Sequence, residues 1–132
     1  MTDSLRRHLA YIVARLLVQN PPFISLYDYK SKKSYAFDGK IQGNELAILD
    51  FEAKQFIIGK RQDNTLSMVH QGTNKKLSLQ MQGAEFYGLD EASNAKYSGL
   101  MKDHAVSIYD FEKKAHFHYA IQPTPVEKPK VG

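Results

Sequence analysis

The chain of 132 residues is long enough for one domain with its own core and short for two. Apolar residues make up 42% of it and charged residues 24%, which excludes a disordered chain. It has no cysteine, which excludes disulfide bonds and thiolate metal ligands and makes a reducing cytoplasm the expected compartment. The net charge of +4 rests mainly on lysine, which argues against a nucleic-acid partner, and no apolar run is long enough to span a membrane.

The first predicted element is an amphipathic helix over about residues 3–19. Its apolar residues recur at helical spacing, at Leu5, Leu9, Ile12, Val13, Leu16 and Leu17. Residues 2–4 offer N-cap oxygens, and two prolines after Asn20 end the helix because proline has no backbone donor. We expect the apolar stripe to pack against the rest of the fold. A basic helix lying on an anionic membrane surface is the alternative.

After the helix, one six-residue motif recurs along the chain. The clearest copies carry apolar residues at the first, third, fourth and sixth positions and aspartate at the fifth. The copies are residues 24–29, 46–51, 66–71, 84–89 and 106–111. Aligned on their third residues, they lie 22, 20, 18 and 22 residues apart, which indicates an internal repeat.

Each copy begins a predicted β-hairpin. A second alternating stretch lies eight residues beyond the fourth motif position, at Tyr35, Ile57, Leu77 and Phe117, and ten beyond it at Tyr97. Polar links join the two stretches, and the eight glycines are interpreted as turn residues. Turn signals between hairpins are Asp38-Gly39, Gly43-Asn44, Asp63-Asn64, Gln82-Gly83 and Lys102-Asp103. The pattern therefore predicts five hairpins.

The spacing of apolar residues inside the motif predicts a β-bulge. Strict alternation breaks between the third and fourth positions, and a bulge there would keep all four apolar side chains near one face. Burial of both faces of the strand, or a strand that ends at this point, are the alternatives.

The predicted fold is mainly β, with about ten short antiparallel strands in five repeated hairpins. Closure into a barrel is expected because it removes exposed strand edges, and a two-sheet sandwich is the alternative. The helix is expected to cap one mouth, since Arg6, Arg7 and Arg15 argue against threading it through the lumen. One domain is predicted over residues 1–122, with the hairpins from about residue 23, and the proline-rich residues 123–132 form a flexible tail.

Two copies of the motif carry a resemblance to known sequences. Residues 25–29 (Ser-Leu-Tyr-Asp-Tyr) and 107–111 (Ser-Ile-Tyr-Asp-Phe) resemble the recurrent Tyr-Asp-Tyr/Phe hairpins of a set of small bacterial proteins. The likeness covers nearly the whole chain, including the helix before the first hairpin. It implies a bacterial origin and the hairpin repeat, and it implies no site residue or activity.

Asp28, Asp50 and Asp110 recur at the fifth motif position and are candidate acid–base groups or calcium ligands. The alternative is structural, since each carboxylate could accept backbone amides at the start of its turn. Repetition favours the structural interpretation, because a catalytic residue is rarely needed three times and the other copies carry His70 and Gly88 at this position.

His116 and His118 are weak candidate metal ligands, because two imidazoles at positions i and i+2 share one face of a strand. His104 is the nearest further histidine in sequence. A catalytic zinc uses three protein ligands, and Phe117 on the opposite face directs both histidines toward solvent. We therefore predict no metal site.

Lysines are concentrated in the links inside the hairpins. They are Lys30, Lys32, Lys33, Lys54, Lys75, Lys76, Lys96, Lys113 and Lys114. If the five links project from one end of the sheet, they form a basic rim suited to an anionic ligand. The candidate binding residues are three lysine pairs, Lys32, Lys33, Lys75, Lys76, Lys113 and Lys114. Seven acidic residues share the links, so the count favours a solvated rim of mixed charge.

The leading functional hypothesis is a non-enzymatic binding or interaction module that holds a small ligand or a protein at the barrel mouth or at the rim of links. No catalytic motif and no cofactor site are predicted. The second hypothesis is an enzyme with a site assembled from non-adjacent turns, around His70, His104 and Asp28. The third is a structural or assembly protein that associates through an uncovered sheet edge.

Overall fold

The computed structural model describes residues 1–18, 25–71 and 74–122. One helix, α1 (Asp3–Leu17), precedes the strands. In chain order, β1 to β10 are Ser25–Asp28, Lys33–Gln42, Glu45–Asp50, Gln55–Gln62, Thr65–His70, Lys75–Gln82, Glu85–Asp90, Ala95–Lys102, Ala105–Asp110 and Ala115–Gln122.

The strands form a closed antiparallel barrel. Each strand pairs with its neighbours in sequence, and β1 also pairs with β10, where Leu26 lies opposite Ile121. The predicted mainly β fold, with an N-terminal helix and a closed barrel rather than a sandwich, is confirmed. No sheet edge is left open in the described strands, so association through an uncovered edge has no surface there.

The five hairpins are more regular in the structure than in the motif alignment. Strands β3, β5, β7 and β9 begin at intervals of twenty residues, and they end at Asp50, His70, Asp90 and Asp110. The predicted alignment of the fourth copy, which puts Gly88 at the aspartate position, is wrong by two residues. Asp90 pairs with Ala95 as Asp50 pairs with Gln55, so Asp90 holds the aspartate position.

The odd-numbered strands contain no bulge. Each residue from Glu45 to Asp50 has one partner on β4, with Ile48 and Asp50 buried and Leu49 only partly buried. The predicted bulge is therefore wrong. The motif breaks the apolar alternation because an aspartate, rather than an apolar residue, takes the inward fifth position.

Links of two lengths close the two ends of the barrel. Four-residue links join the strands of each hairpin at one end, and two-residue links join successive hairpins at the other. The four-residue links are 29–32, 51–54, 71–74, 91–94 and 111–114, and the two-residue links are 43–44, 63–64, 83–84 and 103–104. The turn predicted at Asp38-Gly39 is wrong, because both residues lie inside β2 and Gly39 pairs with Ile48.

Four glycines lie inside strands, which corrects the interpretation of all eight as turn residues. They are Gly39, Gly59, Gly88 and Gly99. A β-carbon on Gly99 would lie 2.4 Å from a ring carbon of Phe86 and 2.2 Å from the carbonyl oxygen of Ser107. The bare backbone at Gly99 therefore makes room for the buried Phe86 ring in the lumen.

The helix lies inside the barrel instead of capping one mouth. Residues 6–14 are all buried, which requires contact on every side of the helix, and α1 contacts β1, β3, β9 and β10. Opposite the predicted stripe, Tyr11 stacks on Phe37 with ring centroids 4.4 Å apart. The expected capping position is thus corrected, and the helix has no free face to lay on a membrane. Arg6 and Arg7 enter the lumen because buried carboxylates meet them there.

The start of the helix follows the prediction and its end differs slightly. Thr2 is the N-cap, and its hydroxyl accepts the amide of Leu5 at 3.2 Å. The helix ends at Leu17 rather than at residue 19. The prolines predicted to end it and the predicted tail at 123–132 lie outside the described residues. Among the described residues, no helix has the length and apolar character needed to cross a membrane.

Candidate functional site

The candidate site is the end of the barrel that carries the four-residue links. We define the rim as these five links together with the two residues on either side of each. The helix begins at this end, since the hydroxyl of Ser4 donates to Oε1 of Gln55 at 2.9 Å and Nζ of Lys30 donates to Oδ1 of Asp3 at 2.9 Å. The rim therefore surrounds a mouth that the first turn of α1 fills.

Four aspartates at the ends of odd-numbered strands turn away from solvent at the rim. Asp28, Asp50, Asp90 and Asp110 are between 0% and 6% exposed. Oδ1 of Asp110 accepts the backbone amides of Glu112 and Lys113 at 3.0 and 3.2 Å. The other three accept amides of their own links in the same way. These bonds bear out the structural interpretation of the aspartates, each of which stabilises the turn that follows it.

Arg6 occupies the lumen between β9 and β10. Its Nη1 donates to Oδ2 of Asp110 at 2.8 Å, and its Nη2 donates to Asp3. The guanidinium carbon lies 3.8 Å from the centre of the Phe117 ring. Arg6 is 1% exposed, so its charge depends on these partners for stabilisation inside the barrel.

Arg7 takes the corresponding place beside β1 and β3. Its guanidinium lies 3.9 Å from Oδ2 of Asp28 and 4.0 Å from Oδ2 of Asp50, and it stacks on the ring of Tyr35 at 3.8 Å. Both carboxylate distances exceed hydrogen-bond length, and Oδ2 of Asp50 is buried without a hydrogen-bond partner. Arg7 therefore neutralises two carboxylates by proximity, whereas Arg6 forms a direct bond.

The amino group of Met1 completes the ionic contacts at the mouth. It donates to Oε1 of Glu112 at 2.8 Å and lies 3.7 Å from Oδ2 of Asp110. The helix is thus held at its N-terminal end by the main-chain amine and by two arginines.

The lysines of the rim all face solvent, which changes the charge balance deduced from the sequence. The exposed lysines are Lys30, Lys32, Lys33, Lys54, Lys75, Lys76, Lys96, Lys113 and Lys114. Four of the seven acidic residues in the sequence count are the buried aspartates, so only Glu52, Glu91 and Glu112 are exposed rim carboxylates. The prediction of a mixed-charge rim is wrong because it counts the buried aspartates as exposed. The sequence does not show which aspartates face inward. The solvent-facing rim is strongly basic.

Lys30 and Lys33 of the rim are paired with carboxylates. Nζ of Lys33 donates to Oε1 of Glu52 at 2.6 Å, and this hydrogen bond raises the pKa of Lys33 and lowers the pKa of Glu52. Lys30 pairs with Asp3, as described above. Both lysines are more than half exposed, so these pairs are screened by solvent.

Three exposed aromatic side chains stand among the lysines. Tyr29, Phe51 and Phe111 are 55%, 52% and 49% exposed, and each is the first residue of its link. Their hairpins, β9–β10, β1–β2 and β3–β4, are consecutive around the barrel. The same position in the other two hairpins holds Gln71 and Glu91. One contiguous part of the rim, which we call the aromatic sector, therefore combines lysines with exposed rings.

A small cavity lies at the mouth, and none of the three exposed aromatic rings lines it. It has a volume of about 110 Å³ and is lined by Thr2, Leu5, Gln55, His70, Lys75, Leu77 and Asp90. Partial burial and the positive charge of Lys75 lower the pKa of His70. The cavity holds a few water-sized groups at most, because the helix fills the lumen. Among the described residues, the helix and the core side chains occupy the lumen where a small apolar ligand would have to bind.

The structure does not bring together the three residues of the second functional hypothesis. His70 and Asp28 lie at the rim on β5 and β1, which are not neighbours, and His104 lies in the link between β8 and β9 at the opposite end. Larger grooves lie on the outer wall, and one of them, of about 560 Å³, is an open depression around Ala47, between Lys40 and Lys60.

The two candidate metal ligands are exposed on the outer wall, as predicted. His116 and His118 lie on the same face of β10 with parallel rings 6.2 Å apart, and Nδ1 of His118 is 2.8 Å from the hydroxyl of Ser107. Within the described part of the chain, no three side chains of metal-ligating type converge on a common point.

The candidate lysine pairs fall at three places on the rim. Lys32 and Lys33 lie at the β1–β2 link and Lys113 and Lys114 at the β9–β10 link, so these two pairs share the aromatic sector. The third pair, at residues 75–76, begins β6 on the other side of the barrel. Sequence reasoning did not identify the exposed aromatic residues as part of the site, although an aromatic residue recurs at the sixth motif position in three copies.

Comparison with known proteins gives no relative: the chain matches no family model, no curated protein and no solved structure. The resemblance to bacterial hairpin-repeat proteins therefore stays a prediction.

Proposed function

We propose that the protein is a non-enzymatic binding module that engages an anionic partner through its basic rim. The observation that carries the proposal is the separation of charge at the rim, where nine lysines face solvent and four aspartates face the helix. A surface with clustered charge of one sign attracts partners of the opposite sign and speeds their association. We also propose that the protein acts in the bacterial cytoplasm.

The remainder of the molecule supports a scaffold role. The helix and the large core side chains fill the lumen, and the helix is tied to the rim by ion pairs, so the strands next to the lysines enclose a packed interior. A rigid scaffold that displays exposed charged groups loses little conformational freedom when it binds.

The test is binding to a polyanion of known chemistry, for which we choose fluorescently labelled heparin. The rim variant replaces Lys32, Lys33, Lys113 and Lys114 with glutamine, which removes four charges and keeps a polar side chain at each position. The control variant replaces Lys40, Lys60, Arg61 and Lys102, outside the rim, with glutamine, so that net charge falls equally. We expect affinity to fall at least about tenfold in the rim variant and much less in the control.

The salt dependence of binding gives an independent measurement. The slope of log affinity against log salt concentration should be shallower in the rim variant, because fewer ions are released on binding. Equal loss in the rim and control variants would mean that net charge alone attracts the polyanion, and the rim proposal would then be abandoned.

A further inference from the structure

We propose that the anionic partner is the surface of a lipid bilayer, on which the rim end of the barrel rests. This inference depends on the proposed function and specifies its partner. The rim suits a flat surface because lysines stand on all five hairpins, so the charge forms a ring around the mouth instead of a stripe along one side. The first turn of the helix and its ion pairs fill the centre of that ring.

The aromatic sector is the second observation that points to lipid. Tyr29, Phe51 and Phe111 are about half exposed to water, although most large apolar side chains of this barrel are buried. Aromatic rings are stable at the boundary between headgroups and acyl chains, where lysines on the same segments can contact lipid phosphates. The side chains of Phe51 and Phe111 have no polar group that could form a hydrogen bond with water or with a polar ligand.

The type of basic residue agrees with this surface. All nine rim cations are lysines, compact point charges that suit many mobile phosphates better than one fixed bidentate contact. The four arginines are engaged elsewhere. Arg6 and Arg7 are buried, Arg15 donates to the hydroxyl of Tyr11, and Arg61 donates to the carbonyl of Asp63.

A single-stranded nucleic acid is the competing polyanion, and the rim fits it less well. Such strands lie in basic grooves in which successive bases stack on aromatic rings. At the rim mouth the described residues line a cavity of about 110 Å³, and none of the three exposed rings lines it. One outer-wall groove, of about 400 Å³, reaches the rim at Lys96 and Phe111, but the other rim lysines and the other two exposed rings lie outside it.

Charge at the opposite end gives the docked molecule a direction. The two-residue links and the two residues on either side of each carry Arg61 and Lys102 as described cations. The carboxylates in the same segments are Glu45, Asp63, Glu85 and Asp103. An anionic surface attracts the rim and repels this end, which favours one orientation.

The first experiment measures co-sedimentation with vesicles of phosphatidylcholine alone and of equimolar phosphatidylcholine and phosphatidylglycerol. We expect binding only to the anionic vesicles, and a loss of roughly a hundredfold in the four-lysine rim variant. An aromatic variant replaces Tyr29, Phe51 and Phe111 with serine. It should lose vesicle binding at physiological salt and keep heparin binding. The matched control replaces Ile58, Tyr87 and Leu100, exposed on the wall, with serine and should bind vesicles normally.

The second experiment uses the absence of tryptophan from the chain. Phe51→Trp places a single tryptophan, which can be excited selectively, in the aromatic sector, and Tyr87→Trp places one on the wall. Anionic vesicles should shift the emission of the Phe51→Trp protein to shorter wavelength and leave that of the Tyr87→Trp protein unchanged. This readout does not depend on the multiple substitutions, so it holds if the serine variant folds poorly.

The outcomes separate the two proposals. Heparin binding without vesicle binding, or vesicle binding in which the emission of the Phe51→Trp protein shifts no more than that of the wall control, overturns the lipid inference and leaves the basic rim in place. Binding of a single-stranded oligonucleotide that requires the aromatic sector, with no vesicle binding, would make nucleic acid the partner. Failure to bind any of the three polyanions removes both proposals.

Discussion

The two mouths of this barrel are built from the same ten strands and differ in almost every chemical respect. At the rim, four-residue links carry nine exposed lysines, and the strand ends turn four aspartates inward. At the opposite mouth, two-residue links and their flanking residues carry more exposed carboxylates than cations in the described chain. The difference accompanies link length, since four of the five four-residue links follow an inward aspartate and the two-residue links do not. A four-residue link needs an acceptor for its amides, and an inward aspartate supplies it.

The two ends of the helix also differ in how firmly they are held. Its start is held by the Thr2 cap, by the amino group of Met1 and by Arg6 and Arg7. Its end carries Leu17, which is 38% exposed. The basic end of the barrel is therefore also the end at which the helix is fastened, and the ion pairs couple the two features.

The largest expected effect comes from breaking that fastening at Asp110. Asp110→Asn keeps an oxygen for the link amides and removes the charge opposite Arg6. A buried ion pair that loses one partner typically destabilises a protein by about 3–5 kcal/mol. We expect a loss near the lower limit, about 3 kcal/mol, because Asp3 still bonds Arg6. Urea denaturation followed by circular dichroism measures it.

The matched control for Asp110→Asn lies at the other mouth. Asp63→Asn removes an exposed carboxylate from a two-residue link, at a position whose positive φ of 57° asparagine tolerates. We expect a change within about 0.5 kcal/mol. Similar losses in the two variants would show that the rim aspartates are not special and would remove the contrast between the mouths.

Sequence reasoning could predict the barrel because its signals are local. Alternation of apolar residues, the repeated motif and the polar links are each read within one hairpin, and ten antiparallel strands leave closure as the simplest way to hide both edges. The position of the N-cap within residues 2–4 could be predicted for the same reason. The bulge failed because the motif was judged by hydrophobicity alone, and an inward aspartate such as Asp50 breaks that pattern.

The position of the helix and the basic rim could not be predicted from one sequence. Arg6 and Arg7 argue against burial until Asp28, Asp50 and Asp110 are known to face inward, and that fact depends on strand pairing at a distance. The charge of the rim depends on the same fact. The misaligned fourth copy hid Asp90 and so concealed the regularity that would have suggested an inward ring.

Lowering the pH is expected to reduce the stability of the fold by an intermediate amount, because His8 lies within the lumen next to Arg7. Burial lowers the pKa of His8 below its ordinary value of 6.5, while its bond to the carbonyl of Ile48 and the charge of Asp50 act against this. The folded state therefore favours the neutral ring. Stability from this group is present above about pH 6.5 and is lost as pH falls below that value.

The measurement compares urea denaturation at about pH 7.5 and about pH 5.5, where the carboxylates stay mostly ionised. The unmodified protein should lose stability on this change, and His8→Gln should lose less. His104→Gln, at the opposite mouth, should behave like the unmodified protein. An identical pH dependence in His8→Gln and the unmodified protein would place the acid sensitivity elsewhere.

The smallest expected effect concerns the exposed pair of Lys33 and Glu52, which tests whether rim lysines contribute to folding. The hydrogen bond from Lys33 lowers the pKa of Glu52, and both side chains are about half exposed. Exposed pairs contribute little to stability because solvent and salt screen them. Lys33→Gln should therefore leave the urea midpoint unchanged and raise the pKa of Glu52 toward its ordinary value, as followed by the NMR titration of its carboxyl carbon. The control Lys76→Gln, on the far side of the rim, should move neither quantity. A clear loss of stability in Lys33→Gln would mean that the rim lysines hold the barrel together, as the buried arginines do, instead of being displayed for a partner.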